Sequence, residues 1–128
     1  MKQSLVIVSL LLCFLATQAF AQTPENIVGK WQDKENPEKQ VVFSLEKNGY
    51  YIGKVINDKN NPPRNGFVVF RDLMWEKTSQ QFAGRVYPPE KDGTEEFKTQ
   101  IRLVNQNLLE CKVKVFLFSR TVQFVRIP

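Results

Sequence analysis

The stretch EFKTQIRLV, residues 96–104, indicates the fold because it alternates at every step. One face of the extended chain carries Phe97, Thr99, Ile101 and Leu103, and the other carries Lys98, Gln100 and Arg102. A period of two is that of a β-strand with one buried face and one solvated face. This stretch therefore predicts a half-buried strand.

The same pattern extends outward in both directions. Residues 105–107, Asn-Gln-Asn, turn the chain, and residues 108–115 alternate again, with Leu109, Cys111, Val113 and Val115 predicted to face inward. Further back, Asn48-Gly49 between two alternating segments is a strong signal for a tight hairpin. Neighbouring strands joined by such short turns must be antiparallel.

Read in order, the chain gives about eight strands and no convincing helix after the leader. The predicted strands are residues 27–32, 40–47, 50–56, 66–70 with a continuation or restart at 72–75, 82–87, 96–104, 108–115 and 120–127, after a flexible lead-in at 22–26. Phe116 to Ser119 is predicted to be the last turn. Short strands that each reverse the last predict an all-β antiparallel up-and-down meander, closed as a barrel or packed as a sandwich.

The first 21 residues have the pattern of a secretory signal peptide. Lys2 precedes a nearly continuous apolar run from Leu5 to Leu15, and Ala19-Phe20-Ala21 is a small-x-small cleavage site. The run is too short to span a bilayer. The sequence therefore predicts cleavage after Ala21, a single domain over residues 22–128, and a periplasmic or secreted protein that does not span the membrane.

Composition excludes several kinds of chemistry. The chain has no histidine, which removes the commonest metal ligand and general base. Its formal net charge of +5 is spread along the strands, so no nucleic-acid surface is predicted. Cys111 is the only cysteine after the leader, and its place between Leu109 and Val113 predicts a buried core thiol. We therefore expect no metal, no cofactor and no catalytic residue.

The longest polar stretch lies between the third and fourth predicted strands, at residues 57–66. It contains two adjacent prolines, which rule out a central strand there. Asn and Asp side chains build turns by bonding nearby amides, so one interpretation is purely structural. The other is a binding loop at one mouth of the barrel, with a predicted set of ligand-binding residues: Asp58, Asn60, Asn61, Arg64, Trp75, Arg85 and Tyr87.

Gly29-x-Trp31 on the first strand and Arg126 on the last predict a closure element. In a closed meander these two strands are neighbours, so the guanidinium can stack on the indole and seal one end. Arg126 falls on the same face as Val122 and Phe124, which are both apolar. An arginine on an apolar face needs a partner, and Trp31 is the candidate.

The order of short motifs along the chain resembles the bacterial domain-of-unknown-function family 2147. The motifs are Gly29-Lys30-Trp31, Gly53-Lys54-Val55, Asp58…Asn61-Pro62…Arg64, Gly66 to Leu73, Gly84-Arg85-Val86-Tyr87-x-Pro89…Gly93 and Phe124-Val125-Arg126. The glycine-x-tryptophan start with a late arginine is also similar to the calycin, or lipocalin-like, barrels. These resemblances imply a small exported protein with a closed or nearly closed lipocalin-like barrel, and they imply no established activity.

Two functions from different classes follow as expectations. The first is a non-enzymatic exported barrel that binds a small, partly apolar or amphipathic ligand inside or at its mouth. The alternative is an envelope protein-interaction or structural module that uses the outer face and the loop at residues 57–66. The ten phenylalanines of the chain favour a filled interior over a large cavity. An enzyme is the third and least favoured interpretation, because nothing in the spacing of the carboxylates argues for acid–base chemistry.

Overall fold

The computed structural model describes residues 22–128. The predicted signal peptide, residues 1–21, lies outside the described residues. Among the described residues, eight strands run antiparallel, each paired with the next along the chain, and the last pairs with the first to close a barrel. The predicted all-β up-and-down meander is confirmed, and the barrel rather than the sandwich is correct.

The strands are β1 (Gly29–Asp33), β2 (Gln40–Leu45), β3 (Tyr51–Ile56), β4 (Val68–Glu76), β5 (Gln81–Val86), β6 (Phe97–Asn105), β7 (Leu108–Val115) and β8 (Phe118–Ile127). Three short 3₁₀ turns occupy Pro24–Ile27, Pro62–Arg64 and Pro89–Lys91. Each begins at a proline, whose fixed φ and missing N–H suit the first position of a helical turn.

Most strand ends lie within one or two residues of their predicted positions, and three of the differences have a structural reason. Ile27 does not begin β1, because Pro24–Ile27 forms a 3₁₀ turn in place of the predicted flexible lead-in, and the indole N–H of Trp31 donates to the Ile27 carbonyl at 2.8 Å. The predicted 66–70 and 72–75 segments form the single strand β4. The turn predicted at residues 116–119 shrinks to Phe116 and Leu117, since Phe118 already pairs with Val115.

A bulge at Asp72 explains how β4 stays continuous. Asp72 takes a left-handed φ of 56°, and the β4–β5 register shifts between Arg71 and Met74. The extra residue lets both Phe70 and Leu73 point inward. Gly84 on β5 faces the bulge, where an added Cβ would lie 2.8 Å from the Arg71 carbonyl oxygen, so only glycine fits without movement.

The up-and-down order gives the barrel two different ends. One end, the mouth, carries the connections at residues 34–39, 57–67, 87–96 and 116–117; the other, the closed end, carries the three hairpin turns and the Pro24–Ile27 turn. Large side chains fill the closed half: Trp31, Phe43, Tyr51, Leu73, Phe82, Ile101 and Leu109 are all buried. Aromatic rings pack edge to face within this half, for example Tyr51 on Phe82 at 5.2 Å.

Candidate functional site

The half of the barrel nearest the mouth is hollow. It holds a cavity of about 510 Å³ that opens between the mouth loops. Its walls are mainly apolar and include Val41, Val55, Val69, Val86, Val113, Val115 and Val122, with Phe70, Phe97, Cys111 and Phe124. A volume of this size falls within the range of small-molecule binding sites.

A gradient of side-chain size along the strands produces the hollow. Six strands each contribute at least one valine to the cavity wall, whereas large side chains fill the closed half, as with Val41 before Phe43 on β2. Valine is β-branched and suits a strand, but it is too short to reach across the barrel. The phenylalanine count suggested a filled interior. That expectation holds only for the closed half, since Phe116 and Phe118 lie exposed outside the barrel.

Four of the predicted binding residues lie at the rim of this cavity. They are Asp58, Asn60, Asn61 and Arg64, on the loop between β3 and β4. Part of this polar set also builds the loop. The Asp58 carboxylate accepts the Asn61 N–H at 2.8 Å, and the Asp58 N–H donates to the Asn65 side chain at 2.8 Å. The structural and binding interpretations of the loop are therefore compatible.

The other three predicted residues do not line the cavity, and their expected place at the mouth site is corrected. Trp75 lies near the closed end of β4, where its ring packs on Phe82 at 5.0 Å, because β4 runs from the mouth to the closed end. Arg85 alternates with the inward Val86 and so points outward, where it pairs with Glu96 at 2.6 Å. Tyr87 also lies outside, and its hydroxyl donates to Glu96 at 3.0 Å.

Asp33, which the sequence pattern assigns to a turn, is a buried carboxylate in the cavity wall. It is 7% exposed, and one of its oxygens accepts the backbone N–H groups of Glu35 and Asn36 at 2.9 and 3.1 Å. Alternation from Trp31 would have indicated it, since Asp33 falls on the same inward face. The rim around it holds charges of both signs: Glu38, Lys39, Asp58, Arg64, Glu90 and Arg120.

Cys111 lies in the cavity wall and is almost fully buried, which agrees with the predicted core thiol. Burial, and to a lesser degree the charge of Asp33, raises the pKa of the Cys111 thiol well above its ordinary value. The thiol is thus protonated at neutral pH, and a thiol is a poor nucleophile compared with a thiolate. Within residues 22–128, no group of three or more His, Cys, Asp or Glu side chains is placed to hold a metal ion.

The closure residues meet at the closed end. Trp31 and Arg126 are direct partners across β1 and β8, and the guanidinium carbon lies 4.3 Å from the indole centre. The same guanidinium donates to the carbonyl oxygens of Gln106 at 2.8 Å, Val28 at 3.0 Å and Asn26. Partial burial lowers the pKa of Arg126, but a guanidinium stays charged at any ordinary pH.

Gly29 provides the space for this arrangement. Its φ is +134°, and a Cβ added there would lie 2.7 Å from a terminal nitrogen of Arg126. Glycine alone combines that backbone conformation with that approach. One arginine therefore ties together the barrel seam, the Pro24–Ile27 turn and the β6–β7 turn.

A second concavity, of about 430 Å³, lies on the outer face of β5, β6 and β7. Its charged lining is mainly basic, with Arg85, Lys98, Lys112 and Lys114 against the single carboxylate of Asp72. Arg85 and Lys98 stand directly opposite each other across β5 and β6. Like charges in that position repel, so the sheet gains no stability from this arrangement.

No helix among the described residues is long and apolar enough to cross a membrane. Comparison of the chain with protein-family models, with curated proteins and with solved structures found no match. The resemblance to family 2147 therefore stays a prediction, and the case for a function rests on the geometry of the barrel.

Proposed function

We propose that this protein is a non-enzymatic binding protein whose ligand is a small, partly apolar molecule held in the mouth half of the barrel. The observation that carries the proposal is the cavity of about 510 Å³, with valine and phenylalanine walls and a charged rim. An apolar group gains free energy by leaving water for such a wall, while a polar group can stay hydrated at the rim. Export to the periplasm or outside the cell, expected from the N-terminal segment, is part of the same proposal.

The state of the two buried ionisable groups in the cavity wall fits a binding role. The thiol of Cys111 is protonated and buried, and the carboxylate of Asp33 already accepts two backbone N–H groups. The protonated thiol is a poor nucleophile, and the Asp33 carboxylate holds the adjacent chain through one of its oxygens. The closed half beneath is packed with large side chains, so a ligand enters and leaves through the mouth.

Fluorescence titration with N-phenyl-1-naphthylamine, a neutral apolar probe, tests the proposal. We expect the emission to rise on addition of protein, and decanol, decanoate and decylamine to compete for the probe with affinities that reveal the preferred head group. Native mass spectrometry of the gently isolated protein would show any retained small molecule. A bare protein mass together with no response to the probe would refute the proposal.

A cavity-filling substitution with a matched control makes the test specific to the mouth. Val113 lies in the cavity wall on β7, whereas Val104 lies exposed on the outer face of β6. We expect Val113→Trp to weaken probe binding at least about tenfold, because the indole occupies the space of the ligand. Val104→Trp should leave binding unchanged. Equal effects of the two substitutions would place the probe outside the cavity.

Protein interaction is the second candidate function, and one observation favours it. Phe116, Leu117 and Phe118 form an exposed apolar cluster at the mouth, and such clusters mark interaction sites. This cluster lies on the β7–β8 connection and not on the 57–66 loop, where the sequence directed attention. Size-exclusion chromatography with light scattering tests this candidate, since an oligomer that depends on these three residues would support it.

A further inference from the structure

The end of the β7–β8 hairpin extends beyond the neighbouring strands at the mouth as a short two-stranded arm. The last pair between β1 and β8 joins Asp33 to Phe124, and β8 extends from there to Phe118. The Gln123 carbonyl still accepts the Lys34 N–H, and β7 pairs with β6 as far as Val113, so only Lys114 to Ser119 form a ribbon without outer neighbours. A two-stranded ribbon is only marginally stable by itself, so packing does not account for the length of this arm.

The tip of the arm, defined as Phe116, Leu117 and Phe118, is apolar and exposed. The three side chains are 97%, 100% and 68% exposed. Phe116 also has a left-handed φ of 54°, a conformation that two-residue hairpins usually give to glycine or asparagine. Neither burial nor turn geometry explains a phenylalanine here, and both favour a smaller or more polar residue.

Charge on the arm has one sign. Between Lys112 and Gln123 there are three basic residues, Lys112, Lys114 and Arg120, and no acidic one. All three are exposed, and none is in an ion pair within residues 22–128. Lys112 and Lys114 continue the basic outer face formed with Arg85 and Lys98. The arm therefore combines an apolar apex with a basic stem.

We propose that the β7–β8 hairpin docks this protein on an anionic phospholipid surface, with the tip entering the interfacial layer and the basic stem facing the head groups. Aromatic and leucine side chains partition into that layer, and basic residues near an anionic surface add attraction. The adjacent loop at residues 87–96 is acidic, so an anionic surface repels it. The docked protein therefore contacts the membrane through the hairpin, with that loop turned away from the surface. This docking does not depend on the proposed cavity ligand.

The size and shape of the tip favour a membrane over a protein partner. Three such side chains offer at most about 600 Å² of contact area, whereas a stable protein interface needs about 800 Å² on each partner. A convex apex also needs a matching pocket on a protein, while a bilayer accepts it without one. The mouth opens at the same end as the tip, since Val115 and Arg120 line the cavity.

Co-sedimentation of the full chain, as processed by the cell that makes it, tests the docking. The vesicles are phosphatidylcholine alone or with an equal part of phosphatidylglycerol. We expect binding to the anionic vesicles that weakens at high salt. Simultaneous Phe116→Ser, Leu117→Ser and Phe118→Ser should reduce the partition coefficient at least about tenfold. Leu45→Ser, at an exposed leucine near the closed end, should leave it unchanged.

Two further measurements keep the test decisive if the tip variant folds poorly. Joint Lys112→Gln, Lys114→Gln and Arg120→Gln should weaken binding to the anionic vesicles up to about a hundredfold, with no change on neutral ones. Leu117→Trp should give emission that shifts to shorter wavelength when the anionic vesicles are added. Absence of vesicle binding by the parent protein, or equal binding by all variants, would overturn the proposal. So would a tip-dependent dimer that binds no vesicles.

Discussion

Arg126 and Trp31 face each other across the only seam between the first and last strands of the described barrel, 4.3 Å from guanidinium carbon to ring centre. The stack is one part of a larger contact, because the guanidinium also reaches three backbone carbonyls on two separate segments. The pair therefore stabilises closure of the barrel.

Arg126→Lys tests the planar shape of this group against its charge. One ammonium cannot reach all three carbonyls and stack on the indole, so we expect a loss of about 2–3 kcal/mol in the free energy of unfolding. Urea denaturation followed by tryptophan fluorescence measures it. Arg102→Lys, on the exposed pair with Glu110, is the control and should cost less than about 0.5 kcal/mol. Similar losses at both sites would argue against a special role for the seam.

Gly29→Ala tests the space that the guanidinium needs. The new Cβ would meet Arg126 at 2.7 Å on a backbone with φ +134°, so we expect a loss of about 3 kcal/mol. Gly49→Ala is the matched control, because Gly49 has a positive φ of 87° and nothing within 4 Å of the added Cβ. For Gly49→Ala we expect a loss of only about 1–2 kcal/mol in the free energy of unfolding, which is the cost of a Cβ at a positive φ.

A double-mutant cycle separates the clash from the backbone strain. In an Arg126→Ala background the clash is absent, so the cost of Gly29→Ala should fall toward that of Gly49→Ala. Additive losses would show that the backbone conformation alone makes glycine necessary at position 29.

Cys111 should make stability fall at alkaline pH. The ordinary thiol pKa is 9.0, and burial raises the pKa of Cys111 in the folded state. Below pH 9 both states keep the proton, and the contribution is constant. Above pH 9 the unfolded chain loses its proton and the folded chain keeps it, so the free energy of unfolding falls by up to about 1.4 kcal/mol per pH unit.

Cys111→Ala isolates this effect. The substitution shifts stability at every pH but removes the thiol slope, while Tyr51, whose pKa is also raised by burial, contributes equally to both proteins. Urea denaturation from pH 7 to pH 10.5 should therefore give curves that converge above pH 9. Parallel curves would mean that the thiol of Cys111 titrates normally in the folded protein.

Asp33 should matter through its hydrogen bonds more than through its charge. Asp33→Ala removes the acceptor of the Glu35 and Asn36 N–H groups, and we expect a loss of about 1–2 kcal/mol. Asp33→Asn keeps an oxygen in the same place and should cost less than half as much. Equal losses in urea denaturation would assign the effect to the buried charge instead.

Periodicity predicted most of the fold because strand alternation depends on local pattern alone. The alternation at residues 96–104 and 108–115 correctly predicted β6 and β7 and their inward faces. The contact between Arg126 and Trp31 was predictable because an arginine on an apolar face needs a partner. The Asp72 bulge was not visible in this way. A left-handed residue inside a strand breaks the period of two, so the pattern alone does not distinguish a continuous strand from a restart at Asp72.

The site was predicted only in part because a cavity depends on what lies opposite. The predicted position of Asp58 and Arg64 at the mouth agrees with the structure, because the polar loop that carries them follows the mouth end of β3. Trp75, Arg85 and Tyr87 were misplaced because an aromatic or basic residue shows no direction until the strand polarity and register are known. The hollow itself comes from valines on six separate strands, which the sequence does not place side by side.

Phe116→Gly should stabilise the fold while weakening membrane docking. The φ of 54° at Phe116 strains any residue with a Cβ, and the exposed ring offers no packing in return, so we expect a gain of about 0.5–1 kcal/mol in the free energy of unfolding. Leu117 is equally exposed, but it is not one of the described residues with a left-handed φ, so Leu117→Gly is the control. We expect no gain in the free energy of unfolding for this variant. Both should reduce partitioning to anionic vesicles. A gain in stability at position 116 with unchanged vesicle binding would leave the strained phenylalanine unexplained by docking.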